Sequence, residues 1–457
     1  MYREQLVWLD RWARRPKHKP LILRGARQVG KSTLVSLFAQ RARLKLVSLN
    51  FERTPEHATV FASKDAQQII NLLALLLNQT IIPGESLLFL DEIQAQPVVL
   101  GALRYFYEEL PDLHVIAAGS LLDFELPSPQ FSMPVGRVSY LHLGPMNFTE
   151  FLAAVNKDKL AQFVKTWQIG VDIPSVLHSE LMVWLRRYLA VGGMPEAVDA
   201  FAKTGNYKEC EEIKQDLLAT FSDDFSKYAK QHDQDLIRTI FKKIPAMVGQ
   251  KIKYASISRD RKSADVARGI QQLCQARVMT KVIHSAANGL PLSAEENPSF
   301  FKGLFLDVGL VSSMLNLSYQ ALQSEDLMAI NAGALAEQFV GQALLHSLDA
   351  HETPFLHYWA REQRSSSAEV DFVIAVDRYV IPIEVKSGKT GSLKSLHLFL
   401  KEKQSRMAVR FNADLPSVLH DISLPAGEQY LVSLPLYMAG ECRRVVSEMD
   451  AVSSGIA

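Results

Sequence analysis

The stretch "LILRGARQVGKSTLVSLFAQ", residues 21–40, decides the expected fold of the N-terminal part of the chain. An apolar strand runs into Gly25, four further residues, and then Gly30, Lys31 and Ser32. The following "TLVSLFAQ" carries its apolar residues at helical spacing. This order of strand, loop and helix predicts a phosphate-binding loop set in a parallel α/β sheet.

The residues of this loop suit a chain of phosphates. Glycines let backbone N–H groups turn inward around an anion, and the helix N-terminus adds the positive end of its dipole. Lys31 is expected to reach the β and γ phosphates of ATP, and Ser32 to ligate Mg²⁺. The predicted nucleotide-binding residues of the loop are Gly25, Ala26, Arg27, Gln28, Val29, Gly30, Lys31, Ser32 and Thr33.

A second strand supports this prediction. The stretch "ESLLFLDEIQ", residues 85–94, is continuously apolar and ends in two adjacent acids. In P-loop ATPases the first such acid helps to hold Mg²⁺ and the second polarises the attacking water, so Asp91 and Glu92 are assigned these roles. The alternative is a strand that ends in solvated carboxylates, which the neighbouring phosphate loop disfavours.

Two further polar residues lie next to predicted strands. "HVIAAGS" ends at Ser120, which would either sense the γ-phosphate or belong to a simple Gly-Ser turn. Arg137 follows a glycine and precedes a strand-like run. It would stabilise charge in the transition state, in cis or from a neighbouring subunit, or be an ordinary surface arginine. The sequence leaves these alternatives open.

Near the C-terminus, "EVDFVIAVDRYVIPIEVKSG", residues 369–388, reads as two half-buried antiparallel strands. Glu384 and Lys386 are two residues apart and project from one face, which Asp371 approaches from the paired strand. Two carboxylates there would bind Mg²⁺, and the lysine would orient water or stabilise developing charge during phosphodiester hydrolysis. A structural ion-pair cluster or a nucleic-acid docking role is the alternative.

The segment before that hairpin is locally basic. Residues 249–306 read as helix, turn, helix and a hairpin through Asn288-Gly289, an order that suits a winged helix. A basic patch of this kind would contact DNA or RNA phosphates in a salt-sensitive and largely sequence-independent way. A solvated face or a protein contact surface is the alternative. The basic residues of the patch are Lys251, Lys253, Arg259, Arg261, Lys262, Arg268, Arg277 and Lys281.

Composition bounds the remaining possibilities. The 457 residues carry a formal net charge of +1, so no global field favours a nucleic-acid or membrane partner. Cys210, Cys274 and Cys442 are few and scattered, which fits reduced thiols. The N-terminus lacks the features of a signal peptide, and the longest apolar run, residues 69–90, is broken by polar residues, glycine and proline. We therefore expect a soluble, cytoplasmic protein without a membrane partner.

Several stretches together resemble a widespread microbial family that joins an AAA-like P-loop ATPase to a C-terminal domain of unknown function. In that family the C-terminal domain has a restriction-endonuclease-like fold of the PD-(D/E)XK type. The resemblance covers nearly the whole chain in order. The stretches that carry it are "GARQVGKSTL", "LDEIQ", "GRV", "LGPMNFTEF", "YLAVGGMPEAV", "FLDVGL", "GALAEQFVGQAL", "AEVDFVI" and "IPIEVKSGKTGSLKSL".

The resemblance implies one more metal ligand. Glu337, in the amphipathic helix "NAGALAEQFVGQALLHSL", would be the accessory carboxylate that completes a metal site with Asp371 and Glu384. A glutamate that caps a neighbouring backbone group is the alternative. The residue before Asp371 is Val370, where many nucleases have proline.

The predicted fold class is α/β, with a P-loop NTPase parallel sheet, a helical lid, a winged-helix segment and a restriction-endonuclease-like α/β domain. The expected divisions are residues 1–147, 148–243, 244–296 and 297–457. The turn "VGGMPEAV" within the second division is expected to be structural, because two glycines and a proline end one helix and begin another.

The predicted function is that of an ATP- and Mg²⁺-dependent ATPase whose nucleotide state controls the nuclease-like domain, acting on nucleic acid. A signalling switch, in which that domain only binds a partner protein, is the alternative. A remodelling ring of AAA type is a third reading, which requires a homo-oligomer with Arg137 acting in trans.

Overall fold

The computed structural model describes residues 1–120, 122, 133–228, 231–317, 319, 325–361, 368–386, 388, 393–421 and 429–453. Residues 387 and 389–392, which belong to the last of the family-like stretches, lie outside the described residues. The strands form a five-stranded sheet and an eight-stranded sheet.

The N-terminal sheet is entirely parallel, as predicted, and its strands run in the order β2-β3-β4-β1-β5. The strands β3 and β4 are almost fully buried, which is typical of parallel strands covered on both faces. The strands are β1 (Leu21–Arg24), β2 (Lys45–Asn50), β3 (Ser86–Asp91), β4 (His114–Ala118) and β5 (Ser139–His142).

Helices cover both faces of this sheet. Leu21 and Leu23 pack in the cluster that contains Phe38, whereas Ile22 packs in the opposite cluster with Phe106. This alternation follows from the two-residue period of a strand. The covering helices are α1 (Gln5–Ala13), α2 (Lys31–Ala42), α3 (Ala66–Leu77) and α4 (Pro97–Glu109).

A helical region follows the first sheet. Asn147 and Glu150 form a capping box at its first helix. The expected helix boundary at the "VGGMPEAV" turn is confirmed, because one helix ends before Gly192 and the next begins at Pro195. The helices are α5 (Phe148–Ala154), α6 (Asp158–Thr166), α7 (Ser175–Val191), α8 (Pro195–Thr204), α9 (Tyr207–Tyr228) and α10 (Gln231–Lys243).

The elements expected of a winged helix occur in the predicted order. Helices α11 (Tyr254–Ile257) and α12 (Ser263–Gln275) precede an antiparallel hairpin of β6 (Met279–Ser285) and β7 (Glu296–Phe305). This hairpin joins the eight-stranded sheet, because β6 pairs in parallel with β8 (Leu356–Ala360). The hairpin is therefore part of the C-terminal sheet, and the winged-helix assignment stays a prediction.

The eight-stranded sheet has the order β12-β13-β11-β10-β9-β8-β6-β7. The predicted C-terminal hairpin is confirmed as the antiparallel pair β9 and β10. The remaining elements are α13 (Val308–Met314), α14 (Glu325–His346), β9 (Glu369–Val376), β10 (Tyr379–Val385), α15 (Lys394–Lys403), β11 (Met407–Asn412), β12 (Ser417–Asp421), β13 (Gln429–Pro435) and α16 (Cys442–Ser453).

The C-terminal sheet is also covered on two faces. Phe372 packs in the cluster that contains Phe339 of α14, and the next residue, Val373, packs in the cluster with Phe399 of α15. This layered α/β arrangement agrees with the predicted fold class, while its restriction-endonuclease-like character stays a prediction.

Two predictions about the whole chain concern thiols and membranes. Cys210, Cys274 and Cys442 are all free, as expected. Among the described residues, no helix combines the length and the apolar character that crossing a bilayer requires.

We predict that Gly193→Ala destabilises the fold. A Cβ on Gly193 would lie 2.0 Å from the carbonyl oxygen of Met146, a backbone atom that cannot rotate away. We expect a loss of at least about 1–3 kcal/mol in the free energy of unfolding, measured by chemical denaturation. The matched control is Gly101→Ala on α4, where, apart from its two chain neighbours and the backbone of its own helix, no atom of the described residues lies within 4 Å of the added methyl group. Equal stability of Gly193→Ala and the wild type would contradict the observed packing.

Candidate functional site

The predicted phosphate-binding loop connects β1 to α2. A Cβ on Gly25 would lie 2.3 Å from the carbonyl oxygen of Leu143, so only glycine fits the close approach to the chain after β5. Gly30 has a φ of +89° and stands at the N-cap of α2. The loop therefore delivers the uncapped end of a twelve-residue helix, with its positive dipole, to the edge of the sheet.

Lys31 is folded back against the loop that precedes it. Its Nζ donates hydrogen bonds to the carbonyl oxygens of Gly25, at 3.0 Å, and Ala26, at 2.8 Å. Burial lowers the pKa of Lys31 to about 8, and the charges of Glu92 and Asp91 partly oppose that shift. A buried ammonium whose hydrogen bonds go to uncharged carbonyl oxygens is well suited to pair with a phosphate.

The two predicted magnesium ligands Ser32 and Asp91 contact each other. The Oγ atom of Ser32 donates a hydrogen bond of 3.2 Å to Oδ2 of Asp91, which is the last residue of β3. Burial, followed by the charge of Glu92, raises the pKa of Asp91. Two hard oxygens beside a phosphate-binding loop fit the preference of Mg²⁺ for oxygen ligands.

Glu92 is held by two side chains. Its Oε2 accepts a hydrogen bond of 2.5 Å from Nε2 of Gln94 and one of 3.4 Å from Oγ of Ser120. Ser120 therefore lies beside Glu92, and its role as a sensor of the γ-phosphate stays a prediction. The sequence did not single out Gln94, although "DEIQ" places it on the turn after the acid pair.

Arg27 joins the loop to the helical region. Its Nε donates to Oγ of Ser120 at 3.3 Å, and its Nη1 forms an ion pair of 2.8 Å with Oδ1 of Asp224 on α9. The predicted lid thus contacts the phosphate-binding loop directly. Of the other predicted loop residues, Val29 is buried, Gln28 has a φ of +63°, and Thr33 is exposed on the first turn of α2.

Arg3 supports the phosphate-binding loop through hydrogen bonds, a role that the sequence analysis did not predict. It is only 4% exposed. Its Nη1 donates to the carbonyl oxygen of Val29 at 3.0 Å, and its Nη2 to that of Gly144 at 2.7 Å. Its Nε pairs with Glu150 at 3.2 Å. Nothing in the local sequence distinguishes Arg3 from a surface arginine, since its partners are far along the chain.

Arg137 does not reach the phosphate-binding loop of its own chain. Its position therefore does not support the predicted role in cis. It precedes β5, and the strands of this sheet are parallel, so it lies at the edge opposite to the loop that follows β1. Its Nε pairs with Oε1 of Glu108 at 2.8 Å, and its side chain is 43% exposed. The role in trans stays a prediction.

The predicted charged residues of the C-terminal hairpin do come together. The Oδ2 atom of Asp371 accepts a hydrogen bond of 2.8 Å from the backbone N–H of Val385, between Glu384 and Lys386. The Nζ atom of Lys386 lies 2.5 Å from Oε1 of Glu384. Glu337, from α14, reaches the same place through a shared partner.

That shared partner is Lys302 of β7, which the sequence did not reveal. Its Nζ lies 2.6 Å from Oε1 of Glu369, 3.5 Å from Oε2 of Glu337 and 3.5 Å from Oδ1 of Asp371. The side chain of Lys302 is 2% exposed. We use the name acidic cluster for Glu337, Glu369, Asp371 and Glu384 together with Lys302 and Lys386.

The predicted metal ligands do not fit a metal ion in this conformation. Among the described residues, the one trio of metal-type side chains whose ligand atoms all lie within 4.8 Å of one another is the exposed set Asp349, His351 and Glu352. Glu337, Asp371 and Glu384 do not form such a group, and the ammonium of Lys302 contacts two of them.

Two carboxyl groups of the acidic cluster, those of Glu337 and Glu384, have raised pKa values. Burial, reinforced by the negative charge of Asp371, raises the pKa of Glu337 to about 8 and that of Glu384 to about 7. Oε2 of Glu384 is buried and has no hydrogen-bond partner among the described residues. The cluster therefore carries more negative charge than its surroundings solvate, which explains why a lysine is buried there.

Asp307 connects the two sites. Its carboxylate is fully buried at the N-cap of α13, where it accepts hydrogen bonds from the backbone N–H groups of Gly309, at 2.9 Å, and Gly193, at 2.7 Å. A Cβ on Gly30 would lie 3.5 Å from Pro195, so the same turn touches the phosphate-binding loop. Burial raises the pKa of Asp307.

Several members of the predicted basic patch contact other side chains of this chain. Lys251 pairs with Glu369 at 3.2 Å, Arg277 contacts His142, and Arg268 pairs with Asp265. Lys281 lies over the ring of Phe301. Six members are exposed, namely Lys251 and Arg268, each paired with a carboxylate, and Lys253, Arg259, Arg261 and Lys262 around α11 and the start of α12.

Comparison with known families covers three parts of the chain. Residues 17–152 match the family model of an AAA domain. Residues 182–321 and 332–437 match families described as domains of unknown function, DUF8612 and DUF4143. No curated protein matches the chain. The AAA match and the loop geometry together define an AAA-type P-loop ATPase in the N-terminal region.

Three solved structures are distantly similar. The Walker-type ATPase paby2304 of Pyrococcus abyssi is 14% identical, with 68% of this chain and 95% of that chain covered and a TM-score of 0.42. The ORC2 protein of Aeropyrum pernix in ADPNP–ADP complexes is 13% identical, with 70% of this chain and 93% of that chain covered and a TM-score of 0.36. The RuvB Holliday junction branch migration motor of Thermotoga maritima is 14% identical, with 62% of this chain and 90% of that chain covered and a TM-score of 0.31. Similarity this weak supports no functional inference.

We predict that nucleotide binding draws a proton to Lys31. The pKa of Lys31 is about 8 without nucleotide, and a bound triphosphate stabilises the ammonium and raises it. At pH 8 the complex should therefore take up a fraction of a proton, and affinity should fall as pH rises above about 8. Calorimetric titration with a non-hydrolysable ATP analogue, in buffers of different ionisation enthalpy, measures this uptake.

The matched control for this titration is Lys31→Arg, whose guanidinium stays protonated throughout. Uptake that is the same in wild type and Lys31→Arg would come from other groups, including the nucleotide, and would contradict the lowered pKa.

Proposed function

We propose that this chain is a Mg²⁺-dependent ATPase. The observation that carries the proposal is the meeting of Ser32 with Asp91, 3.2 Å apart, beside Glu92 and the uncapped N-terminus of α2. These groups lie at the C-terminal ends of β1 and β3, which are separated by β4 in one parallel sheet. Ligands bind at this edge of the sheet in open α/β folds. ATP and Mg²⁺ are the ligands that this set of donors and acceptors fits best.

The residues of the loop would act in a defined order. The N–H groups of the loop and of α2 bind the phosphates of ATP, and Lys31 exchanges its two carbonyl partners for phosphate oxygens. Ser32 and Asp91 would hold Mg²⁺, which supplies neutralisation of phosphate charge. Glu92 then orients the attacking water, while Ser120 and Gln94 fix the position of its carboxylate.

The nucleotide state would be passed on by two contacts of the loop. One is the ion pair between Arg27 and Asp224, which ties the loop to α9. The other is the packing of Pro195 against Gly30, which ties the loop to the turn that donates to Asp307. Asp307 follows β7, the strand that carries Lys302 into the acidic cluster. These contacts support control of the C-terminal domain by nucleotide.

We predict that Lys31→Ala and Glu92→Gln each lower ATP turnover by at least about a hundredfold without unfolding the chain. Lys31→Ala removes the phosphate partner, and Glu92→Gln removes the group that orients water. Phosphate release measures turnover, and circular dichroism checks folding. Lys45→Ala and Glu85→Gln, at exposed positions of the same sheet region, serve as matched controls. Wild-type turnover in either folded variant would contradict the proposal.

Action of the C-terminal domain on nucleic acid is a second proposal. It is supported by the exposed basic residues around α11 and by the convergence of Asp371, Glu384 and Lys386 on one side of the hairpin. The order of α14, the strands β8 to β10, α15 and β11 is consistent with the restriction-endonuclease-like fold that the family resemblance implies.

The signalling switch remains the rival proposal, with the C-terminal domain as a non-catalytic partner-binding module. The burial of Lys302 among three carboxylates favours it, because an ion-pair cluster is an alternative role for such acids. An oligomeric ring with Arg137 in trans is compatible with either proposal, and sedimentation with and without ATP distinguishes a ring from a monomer.

We predict salt-sensitive binding of DNA or RNA oligonucleotides, which Lys253→Ala/Lys262→Ala weakens. Each lost phosphate contact should reduce the slope of log affinity against log salt by about one. Fluorescence anisotropy at several salt concentrations measures this slope. Lys203→Ala/Lys208→Ala, which removes two exposed lysines from α8 and α9, is the matched control.

The outcome separates the two proposals. No binding at low salt, with or without ATP, would contradict action on nucleic acid and leave the switch. Cleavage that requires ATP with Mn²⁺ or Mg²⁺, and that both Asp371→Ala and Lys386→Ala abolish, would establish a nuclease.

A further inference from the structure

Lys302 occupies the middle of the acidic cluster. Its ammonium lies within 3.5 Å of carboxylate oxygens of three residues on two elements, namely Glu337 on α14 and both Glu369 and Asp371 on β9. It also lies 5.5 Å from the centre of the Tyr358 ring on β8. The side chain is 2% exposed, so almost all of its interactions are with these groups.

A lysine in this place has to be explained by its partners. Burying an ammonium is costly unless opposite charges and hydrogen-bond acceptors surround it. The carboxylates in turn need a cation, because without one several negatively charged groups would lie beside one another in a largely buried place. In nucleases of the kind that the family resemblance suggests, a divalent metal would meet that need.

We propose that Lys302 is the resident cation of the acidic cluster, and that a divalent metal binds to Glu337, Asp371 and Glu384 only when Lys302 is withdrawn. In the observed conformation the C-terminal domain is therefore closed to metal at these acids. This inference deepens the proposed function of the C-terminal domain and is independent of ATP hydrolysis.

The contacts around β7 show what withdrawal would require. Gln338 of α14 accepts a hydrogen bond from the N–H of Phe305 at 2.9 Å and donates to its carbonyl oxygen at 2.8 Å. The next residues lead to Asp307, whose carboxylate binds Gly193 beside the phosphate-binding loop. A shift of β7 against α14 would move Lys302 away from Glu337 and Asp371 together.

The test replaces the cation by an uncharged side chain of similar shape. Mn²⁺ is titrated without nucleotide into Lys302→Met, into the otherwise unchanged protein, and into each of these two with Asp371→Asn added. All four carry Asp91→Asn, so that the ATPase site contributes no metal binding. We expect Lys302→Met to gain about one Mn²⁺ site, with an affinity at least tenfold higher than that of any Mn²⁺ site in the protein that keeps Lys302. Adding Asp371→Asn to Lys302→Met should remove this new site. Lys281→Met, on the neighbouring strand β6, is the matched control and should gain none.

Three results would overturn the proposal. The first is Mn²⁺ binding with Lys302 in place that Asp371→Asn abolishes, because metal and lysine would then coexist. The second is no gain of Mn²⁺ binding in folded Lys302→Met. The third applies if Lys302→Met alone does not fold. Removal of a charge by Asp371→Asn, or addition of Mn²⁺, should then restore its melting transition, and failure of both would show that shape, and not charge, makes Lys302 necessary.

ATP turnover of Lys302→Met without the Asp91 change is measured in parallel. Normal turnover with no gain of metal binding would reject only the present inference. Failure of the ATPase proposal itself would appear as wild-type ATP turnover in the folded Lys31→Ala or Glu92→Gln variant.

Discussion

The fully buried carboxylate of Asp307 is the interaction on which the arrangement of the two sites depends. It accepts hydrogen bonds from the N–H groups of Gly193 and Gly309, and Nε2 of Gln342 lies 3.3 Å from it. A buried carboxylate without such donors would be strongly destabilising, so the three elements that supply them are held together. They are the turn beside the phosphate-binding loop, the N-terminus of α13, and α14, which carries Glu337.

Because of this constraint, the nucleotide site and the acidic cluster do not belong to independent modules. Gly193 also packs so closely on Met146 that no side chain fits between them, and Pro195 lies against Gly30. On the other side, β7 and α14 are joined by the paired hydrogen bonds of Gln338 and both contribute to the acidic cluster. A rearrangement at the phosphates would therefore be felt where Lys302 meets Glu337.

The phosphate-binding loop and the acid pair of the candidate ATPase site could be predicted because they lie in short contiguous stretches. Gly25, Gly30 and the acid pair at the end of β3 need only local backbone geometry and a parallel sheet. The hairpin acids were predicted by the two-residue period of a strand. Lys302 could not be found in this way, because its partners are on other elements far along the chain. The position of Arg137 already follows from the predicted parallel sheet, because a residue that precedes β5 lies at the edge opposite to the loop that follows β1.

The central claim is that nucleotide binding is felt at the acidic cluster. Hydrogen–deuterium exchange, followed by mass spectrometry with and without Mg²⁺ and a non-hydrolysable ATP analogue, tests it most directly. The account predicts altered protection in peptides that span residues 299–307 and 333–342, in addition to the phosphate-binding loop. Altered protection confined to the loop and the five-stranded sheet, with β7 and α14 unchanged, would contradict it.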